Sequence, residues 1–134
     1  MRILLVDDDV DDQLLFLEVI SSIDPEIICE TAGNGEEALD KLRAPGPAPD
    51  LIFLDINMPR MGGRDCLQQI RTNRSLKHFP VIVISTYITT QDELYFRNHN
   101  ADFMVKPNVY DKLFDEVRVR ILRHKRGARA TREE

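Results

Sequence analysis

Three short runs of consecutive apolar residues mark the candidate strands of this chain. They are Ile3–Val6, Leu51–Leu54 and Val81–Ile84, and none of them alternates with polar residues. A strand that is apolar at every position is typical of the middle of a parallel sheet, where both faces are covered. Two weaker segments, Ile27–Thr31 and Phe103–Val105, complete the set of strand candidates.

Amphipathic segments separate these strands. The clearest is Tyr110–Ile121, because its apolar residues recur with the period of a helix. Thr90-x-x-Glu93 resembles a capping box that opens the helix before the fifth strand. The other helical segments are Asp11–Ser22, Glu36–Arg43 and Arg64–Asn73. Five strand–helix pairs in succession predict a three-layer α/β fold, with helices on both faces of a parallel sheet.

The length and composition restrict the class of protein. The chain has 134 residues, which fits one domain. No apolar run approaches the roughly 18 residues of a membrane-spanning helix, and the stretch after Met1 is too short for a signal peptide. We therefore expect a cytoplasmic protein without a membrane partner. Cys29 and Cys66 are the only cysteines, so neither a disulfide framework nor a cysteine zinc site is expected.

Charge is unevenly distributed along the chain. Residues 1–111 contain 19 acidic and 10 basic residues, a net charge of −9, whereas residues 112–134 contain 4 acidic and 8 basic residues, a net charge of +4. The acidic part argues against general binding to nucleic acid. The basic residues 124–134 could contact a nucleic acid or a partner. Base rates for chain termini favour instead a flexible tail outside a domain that ends at residue 123.

Polar residues directly follow four of the predicted strands. Asp7–Asp9 follow the first strand, Asp55 the third, Ser85 and Thr86 the fourth, and Lys106 the fifth. Ligands of open parallel sheets bind beyond the carboxyl ends of the strands, so these side chains are expected to meet. Clustered carboxylates repel one another unless a cation lies among them, and Mg²⁺ prefers such oxygen ligands. A lysine and a hydroxyl beside the metal suit a phosphoryl group.

Each of these residues also has a simpler interpretation. Acidic residues are favoured at helix starts, and at least one of Asp9, Asp11 and Asp12 is expected to cap the first helix. Lys106, taken alone, would be an ordinary surface charge. Neither interpretation explains why all four strand ends are polar. The residues themselves therefore predict a metal-assisted phosphoryl site.

These residues also carry a family resemblance. The segments LLVDDD, LIFLDINMPRMGG, VIVIST and FMVKP, in this order and spacing, resemble the receiver domain of two-component response regulators. The resemblance covers residues 1–123. Within the family, the chain resembles the stand-alone chemotaxis regulators. It implies a flavodoxin-like, doubly wound sheet of five parallel strands in the order 2-1-3-4-5, with five helices. It also implies a phosphorylation-dependent signalling switch.

The resemblance assigns roles to the residues at the strand ends. Asp55 would be the phosphoacceptor. Asp8, Asp55 and the backbone carbonyl of Asn57 would bind Mg²⁺ directly, and Asp7 would act through water. Lys106 would bind the phosphoryl oxygens of the aspartyl phosphate.

Further positions would tune the switch. Ser85 would bind the phosphoryl group and take part in the switch together with the aromatic Phe103. Asn57 and Tyr87 would border the approach of the hydrolytic water. We expect Tyr87 to shield the phosphoryl group, whereas a Tyr87 that points to solvent and has no role is the simpler alternative. The resemblance also implies a cis Lys106–Pro107 bond.

Some positions depart from the commonest receiver pattern. Asn100 stands where a glycine is common, and asparagine tolerates the left-handed conformation better than most residues. Thr86 is larger than the usual alanine and is expected to narrow the access to Asp55. Gly63 is expected to give backbone freedom to the turn after the acceptor.

Three classes of function compete. A signalling receiver would take its phosphoryl group from a sensor histidine kinase or phosphotransfer protein. It would act on an unknown downstream protein, and a homodimer through the fourth helix, fifth strand and last helix is a further candidate contact. An aspartyl-phosphate hydrolase would need a second acid two residues after the nucleophile, where Asn57 stands. We therefore expect no enzyme activity beyond the chain's own phosphorylation and dephosphorylation. A DNA-binding regulator would need a folded domain, for which the residues after 123 are too few.

Overall fold

Five strands form one parallel sheet. The computed structural model describes residues 1–58 and 60–133. The sheet has the strand order β2-β1-β3-β4-β5, which confirms the predicted order. Its strands are β1 (Arg2–Val6), β2 (Ile28–Ala32), β3 (Leu51–Asp55), β4 (Val81–Ser85) and β5 (Asp102–Val105).

Helices cover both faces of the sheet, as the three-layer fold requires. Helices α1 and α5 pack together on one face, while α2 and α3 pack together on the other, where α4 joins them through Phe96. The predicted α/β fold class is therefore confirmed. The helices are α1 (Val10–Ile23), α2 (Gly35–Arg43), α3 (Gly63–Thr72), α4 (Thr90–Asn98) and α5 (Tyr110–Glu133).

The burial of β1 explains the absence of hydrophobic alternation in its sequence. Ile3 and Leu5 belong to the core between the sheet and the α1–α5 layer, whereas Leu4 and Val6 belong to the core on the opposite face. All four side chains are at most 3% exposed. Because successive side chains of a strand point to opposite faces, a strand covered on both sides must be apolar throughout.

The helix starts follow the expected chemistry with one shift in register. Asp9 is the N-cap of α1, and its carboxylate accepts the Asp12 N–H at 3.0 Å, which confirms an acidic cap. The predicted capping box at Thr90 and Glu93 is wrong by one residue, because Thr89 and Asp92 form it. The reason is backbone conformation: Thr89 is extended (φ −83°, ψ 168°), whereas Thr90 already begins the helix.

Asn100 adopts the left-handed conformation that the sequence predicts. Its φ is 53°, and its N–H donates to the Arg97 carbonyl at 3.0 Å. The guanidinium of Arg71 donates to the Asn100 carbonyl at 3.1 Å. The turn between α4 and β5 therefore depends on the Asn100 backbone.

The last helix is longer than the predicted apolar stripe. It continues to Glu133, and Lys125 donates to the Asp24 carboxylate, at the end of α1, at 3.0 Å. The predicted boundary at residue 123 thus falls within α5, and the flexibility of residues 124–134 stays a prediction. Among the described residues, no helix is both long and apolar enough to cross a membrane.

We expect Asn100→Gly to preserve stability and Asn100→Ala to lower the free energy of unfolding by about 1 kcal/mol. The left-handed conformation costs alanine roughly that amount, whereas asparagine tolerates it better than most residues and glycine adopts it freely. Urea unfolding measures both variants. Asn98→Ala, at an exposed helical position, is the control and should have little effect. Equal losses for the glycine and alanine variants would show that the Asn100 side chain, not its φ, stabilises the turn.

Candidate functional site

Three carboxylates meet at the carboxyl edge of the sheet. β1 and β3 are neighbours, with Val6 opposite Leu54, so the residues that follow Val6 lie beside Asp55. Asp7, Asp8 and Asp55 each place a carboxylate oxygen within 4.8 Å of the others. The predicted convergence of the strand ends on oxygen ligands is therefore seen for these three residues.

Hydrogen bonds of its backbone and side chain hold Asp7 in place. It is 4% exposed, and its N–H donates to the Ala32 carbonyl at 3.0 Å. One carboxylate oxygen, Oδ1, accepts the Asp9 N–H at 2.9 Å, and the side-chain amide of Gln13 donates to the Asp7 carbonyl at 2.6 Å. The loop between β1 and α1 thus fixes the orientation of this carboxylate.

Lys106 brings an ammonium group to the same edge. Its N–H donates to the Ser85 carbonyl at 2.8 Å, which extends the pairing of β4 with β5. Its Nζ donates to Asp12 at 2.6 Å and to Asp7 at 3.3 Å. The expectation of a cis Lys106–Pro107 bond is wrong, because the bond is trans. Lys106 reaches the carboxylates without the cis turn.

Asp12 is the residue of this cluster that the sequence reasoning missed. The sequence presents Asp12 only as a candidate helix cap, whereas Asp9 has that role. Its place in the first turn of the first helix, after the paired acids Asp7 and Asp8, is the signal available in the sequence.

The loop after Asp55 is packed too closely for any side chain at Gly63. A Cβ there would lie 2.5 Å from the Ile56 Cα and 2.6 Å from the Asp55 carbonyl oxygen. The expected role of Gly63 in backbone freedom is wrong, because its φ lies outside the left-handed region and close approach is what requires glycine. The Asn57 N–H donates to the Asp55 carboxylate at 3.1 Å. The start of α3 therefore packs directly against the end of β3.

Ser85 and Tyr87 form the side of the site that faces α4. Ser85 is 3% exposed, and its hydroxyl donates to the Tyr87 carbonyl at 2.8 Å. The Tyr87 side chain is 75% exposed, and it lines an open cleft together with Asn57 and Ser85. Tyr87 thus lies at the rim of the site with its ring in solvent.

Phe103 is half-buried in β5, beside α4. Its ring centroid is 6.1 Å from that of Phe96. The Arg97 guanidinium lies 5.8 Å from the Phe103 ring centroid, and Arg120 donates to the Phe103 carbonyl at 3.0 Å. The side chain therefore sits between the core and the surface formed by α4, β5 and α5.

Burial and the charges of neighbouring side chains shift the pKa values of Asp7, Asp55 and Lys106. Burial, helped by the neighbouring charges of Asp7 and Asp8, raises the pKa of Asp55 to about 6 against the opposing effects of the Asn57 N–H and Lys106. Burial likewise raises the pKa of Asp7, against the opposing effects of the Asp9 N–H and Lys106. Burial lowers the pKa of Lys106, but Asp12 and Asp7 outweigh it, so this pKa is raised overall and the amine stays protonated.

This donor set fits a divalent cation. Asp7, Asp8 and Asp55 lie within 4.8 Å of one another, Lys106 pairs with Asp7 of the three, and burial raises the pKa values of Asp7 and Asp55. Carboxylate and carbonyl oxygens are the ligands that Mg²⁺ prefers. The residues present therefore suit a hard cation among Asp7, Asp8 and Asp55.

Comparison with known proteins decides the family. The family model of the response regulator receiver domain matches residues 3–118. This chain belongs to the response regulator receiver domain family. The receiver is 35% identical to response regulator Rcp1 of Synechocystis sp. over 123 residues, which cover 86% of this chain and 82% of Rcp1.

Solved structures agree with this assignment. The crystal structure of the phosphorylated cyanobacterial phytochrome response regulator RcpA superposes with a TM-score of 0.79 at 32% identity, covering 87% of this chain and 88% of RcpA. The Mn²⁺-bound form of Rcp1 gives a TM-score of 0.78 at 30% identity, with the same coverage. The receiver fold and its place in two-component phosphorelay signalling are thus established.

Some relatives are longer proteins. The chain spans 29% of protein-glutamate methylesterase/protein-glutamine glutaminase 3 of Vibrio cholerae, which is 37% identical over 112 residues. It spans 46% of the probable C4-dicarboxylate response regulator DctR of Bacillus subtilis. Some relatives are therefore named as enzymes, whereas the structural neighbours RcpA and Rcp1 are named as response regulators.

In metal-free solution, we expect Asp55→Asn to raise the free energy of unfolding at pH 7.5. The folded-state pKa of about 6 lies above the ordinary aspartate value of 3.8, so the stability from a neutral Asp55 is complete below pH 3.8 and is lost as the pH rises through 6. The side-chain amide introduced by Asp55→Asn is neutral at every pH, so the variant does not lose this stability. The gain should be about 1 kcal/mol, less than the full pKa shift would give, because water partly screens this carboxyl.

Urea unfolding in EDTA from pH 4 to 8 measures this gain, which should nearly vanish at the acidic end. Asp40→Asn, an exposed carboxylate of α2, is the control and should show no such trend. A gain for Asp55→Asn that is the same at both ends of the range would contradict the role of ionisation.

Proposed function

We propose that this receiver is a phosphorylation-dependent switch that accepts a phosphoryl group on Asp55. The observation that supports it most directly is the gathering of Asp7, Asp8 and Asp55 within 4.8 Å, with Lys106 against Asp7. Asp55 ends a strand buried on both faces, so its carboxylate is held still for attack. The phosphorylated RcpA structure gives a precedent in a similar protein.

Mg²⁺ is the proposed cofactor. Asp8, Asp55 and the backbone carbonyl of Asn57 would hold it directly. Asp7 would act through water, because its Oδ1 already accepts the Asp9 N–H and its Oδ2 accepts from Lys106. When bound, the ion would offset the carboxylate charges and the charge of the transferred phosphoryl group. The Mn²⁺-bound Rcp1 structure supports a divalent cation in a relative.

The proposed chemistry is a transfer between two protein side chains. The ionised Asp55 carboxylate attacks phosphorus, a new O–P bond forms, and the N–P bond of the donor phosphohistidine breaks with its electron pair going to the imidazole. Lys106 and Ser85 bind the phosphoryl oxygens. Hydrolysis by water then releases inorganic phosphate and restores the carboxylate. The donor would be a sensor histidine kinase or phosphotransfer protein in the cytoplasm.

The proposed output is a change of surface on α4, β5 and α5. The Ser85 hydroxyl, which donates to the Tyr87 carbonyl, would instead donate to the phosphoryl group. This exchange would draw the loop before α4 toward Asp55. Phe103 would then turn inward from its half-buried position and alter the face that it shares with Arg97. A downstream protein or a second copy of the receiver would bind this face. Asn57 in place of a second acid is the reason to expect no hydrolysis of other substrates.

Acetyl phosphate with Mg²⁺ should add one phosphoryl group to the chain, on Asp55. Intact-mass measurement detects it, and Asp55→Asn should show none because its amide is not a nucleophile. Asp40→Asn, the exposed control, should be labelled like the wild type, and EDTA should prevent labelling. Labelling that persists in Asp55→Asn would overturn the assignment of the acceptor.

We expect Tyr87→Ala to shorten the half-life of phospho-Asp55 about threefold, equivalent to roughly 0.7 kcal/mol in the barrier to hydrolysis. The aromatic ring, once drawn over the phosphoryl group with its loop, would exclude the hydrolytic water. Decay of the labelled mass in time measures the half-life.

Tyr87→Phe is the matched control for this shielding. It keeps the ring and lacks the hydroxyl, so its half-life should match that of the wild type. An unchanged or longer half-life in Tyr87→Ala would exclude shielding, and Tyr87 would then have only its exposed position at the rim.

A further inference from the structure

Two acids occupy the same position in two helices but make different contacts. Asp12 in α1 and Asp92 in α4 are each the third residue after the N-cap. Asp92 accepts the N–H of its cap residue, Thr89, at 2.9 Å and so completes a capping box. In α1, the cap residue Asp9 donates its N–H to Asp7 instead. The Asp12 carboxylate therefore does not complete a capping box at the start of α1.

Asp12 uses this carboxylate to bind Lys106. Its Oδ2 lies 2.6 Å from the Lys106 Nζ, a shorter distance than the 3.3 Å to Asp7. Within residues 1–58 and 60–133, Lys106 forms no ion pair with Asp55. The Lys106 side chain is 16% exposed, so this attraction is screened less than that of a surface pair. The ammonium is thus held on the α1 side of the site.

We propose that Asp12 is a positioning residue that competes with the phosphoryl group for Lys106 and so weakens the hold of the site on that group. The inference rests on the proposed function of Asp55. A phosphoryl group on Asp55 needs the charge of Lys106, which Asp12 partly neutralises. Asp12 also adds a fourth carboxylate to a site that must accept further negative charge.

A general effect of acids at a helix start would not distinguish Asp12 from Asp11. Both lie in the first turn of α1 and interact with the helix dipole. Asp11 is exposed, and neither the ion pairs nor the hydrogen bonds seen in the described part of the chain involve its side chain. Asp11→Asn is therefore a matched control, with the same change of charge one residue away.

The test is the binding of beryllofluoride, in the presence of Mg²⁺, measured by titration calorimetry. Asp12→Asn should bind about threefold more tightly than wild type, the effect expected for one partly exposed ion pair. Asp11→Asn should bind like the wild type. Asp12→Glu keeps the charge and should restore the wild-type affinity. Equal affinities for the Asp12→Asn and Asp11→Asn variants, or weaker binding by Asp12→Asn, would overturn the proposal.

A double-mutant cycle tests the pair itself. The cycle compares the urea unfolding of wild type, Asp12→Asn, Lys106→Met and the double variant. Unfolding requires no ligand, so it measures the Asp12–Lys106 interaction even if Lys106→Met binds no beryllofluoride. The effects should be non-additive, because each single substitution removes the same interaction. Additive effects would show that Asp12 does not hold Lys106 in solution, and the competition would be refuted.

Asp55→Asn separates this inference from the proposed function. It should lose beryllofluoride binding altogether. If it retains binding, the acceptor assignment fails, whatever Asp12 does. If Asp55→Asn loses binding while Asp12→Asn behaves like Asp11→Asn, the acceptor assignment stands and only the role of Asp12 fails.

Discussion

Repulsion among three carboxylates is the constraint on which the site depends. Asp7, Asp8 and Asp55 are held within 4.8 Å although burial raises the pKa values of Asp7 and Asp55. The fold can hold them because β1 and β3 are anchored by cores on both faces of the sheet. A flexible loop would relieve the repulsion by moving apart. This repulsion favours the binding of a cation at the site and opposes the addition of further negative charge.

The groups that offset this repulsion come from the other half of the sheet. Lys106 follows β5 and Ser85 ends β4, and the Lys106 N–H donates to the Ser85 carbonyl at 2.8 Å. The ammonium and the hydroxyl are therefore joined through the strand pairing. Phe103 lies in β5 three residues before Lys106, and β5 pairs with β4, which ends at Ser85. The residues that would bind the phosphoryl group therefore adjoin the strand of the proposed output surface.

A second set of contacts links the loop after Asp55 to α4. Gly63 packs on the Asp55 carbonyl at the start of α3, and the next residue, Arg64, forms an ion pair with Asp92. Asp92 also closes the capping box of α4 with Thr89. Arg64 further lies 4.9 Å from the centroid of the Tyr95 ring. The first turns of α3 and α4 are thus tied together on the side of the site that would move when Asp55 is modified.

The sequence by itself determined the fold class and most of the acidic cluster. Fully apolar runs such as Val81–Ile84 suit only strands covered on both faces, and the polar residues after them must meet at one edge of a parallel sheet. Their positions after the strands, with the receiver resemblance, place Asp7, Asp8, Asp55 and Lys106 together, because strand ends are set by backbone topology. The left-handed Asn100 was likewise predictable from a local preference.

Tertiary structure alone decided which partner each side chain takes. Periodicity does not show that Asp9 gives its N–H to Asp7, and that contact leaves Asp12 free to bind Lys106. Nor does it show that Gly63 is required by contact with the Asp55 carbonyl rather than by its own φ. Such outcomes depend on distances of a few tenths of an ångström between residues far apart in the chain. Local patterns carry no information about those distances, which are set only when the helices pack on the sheet.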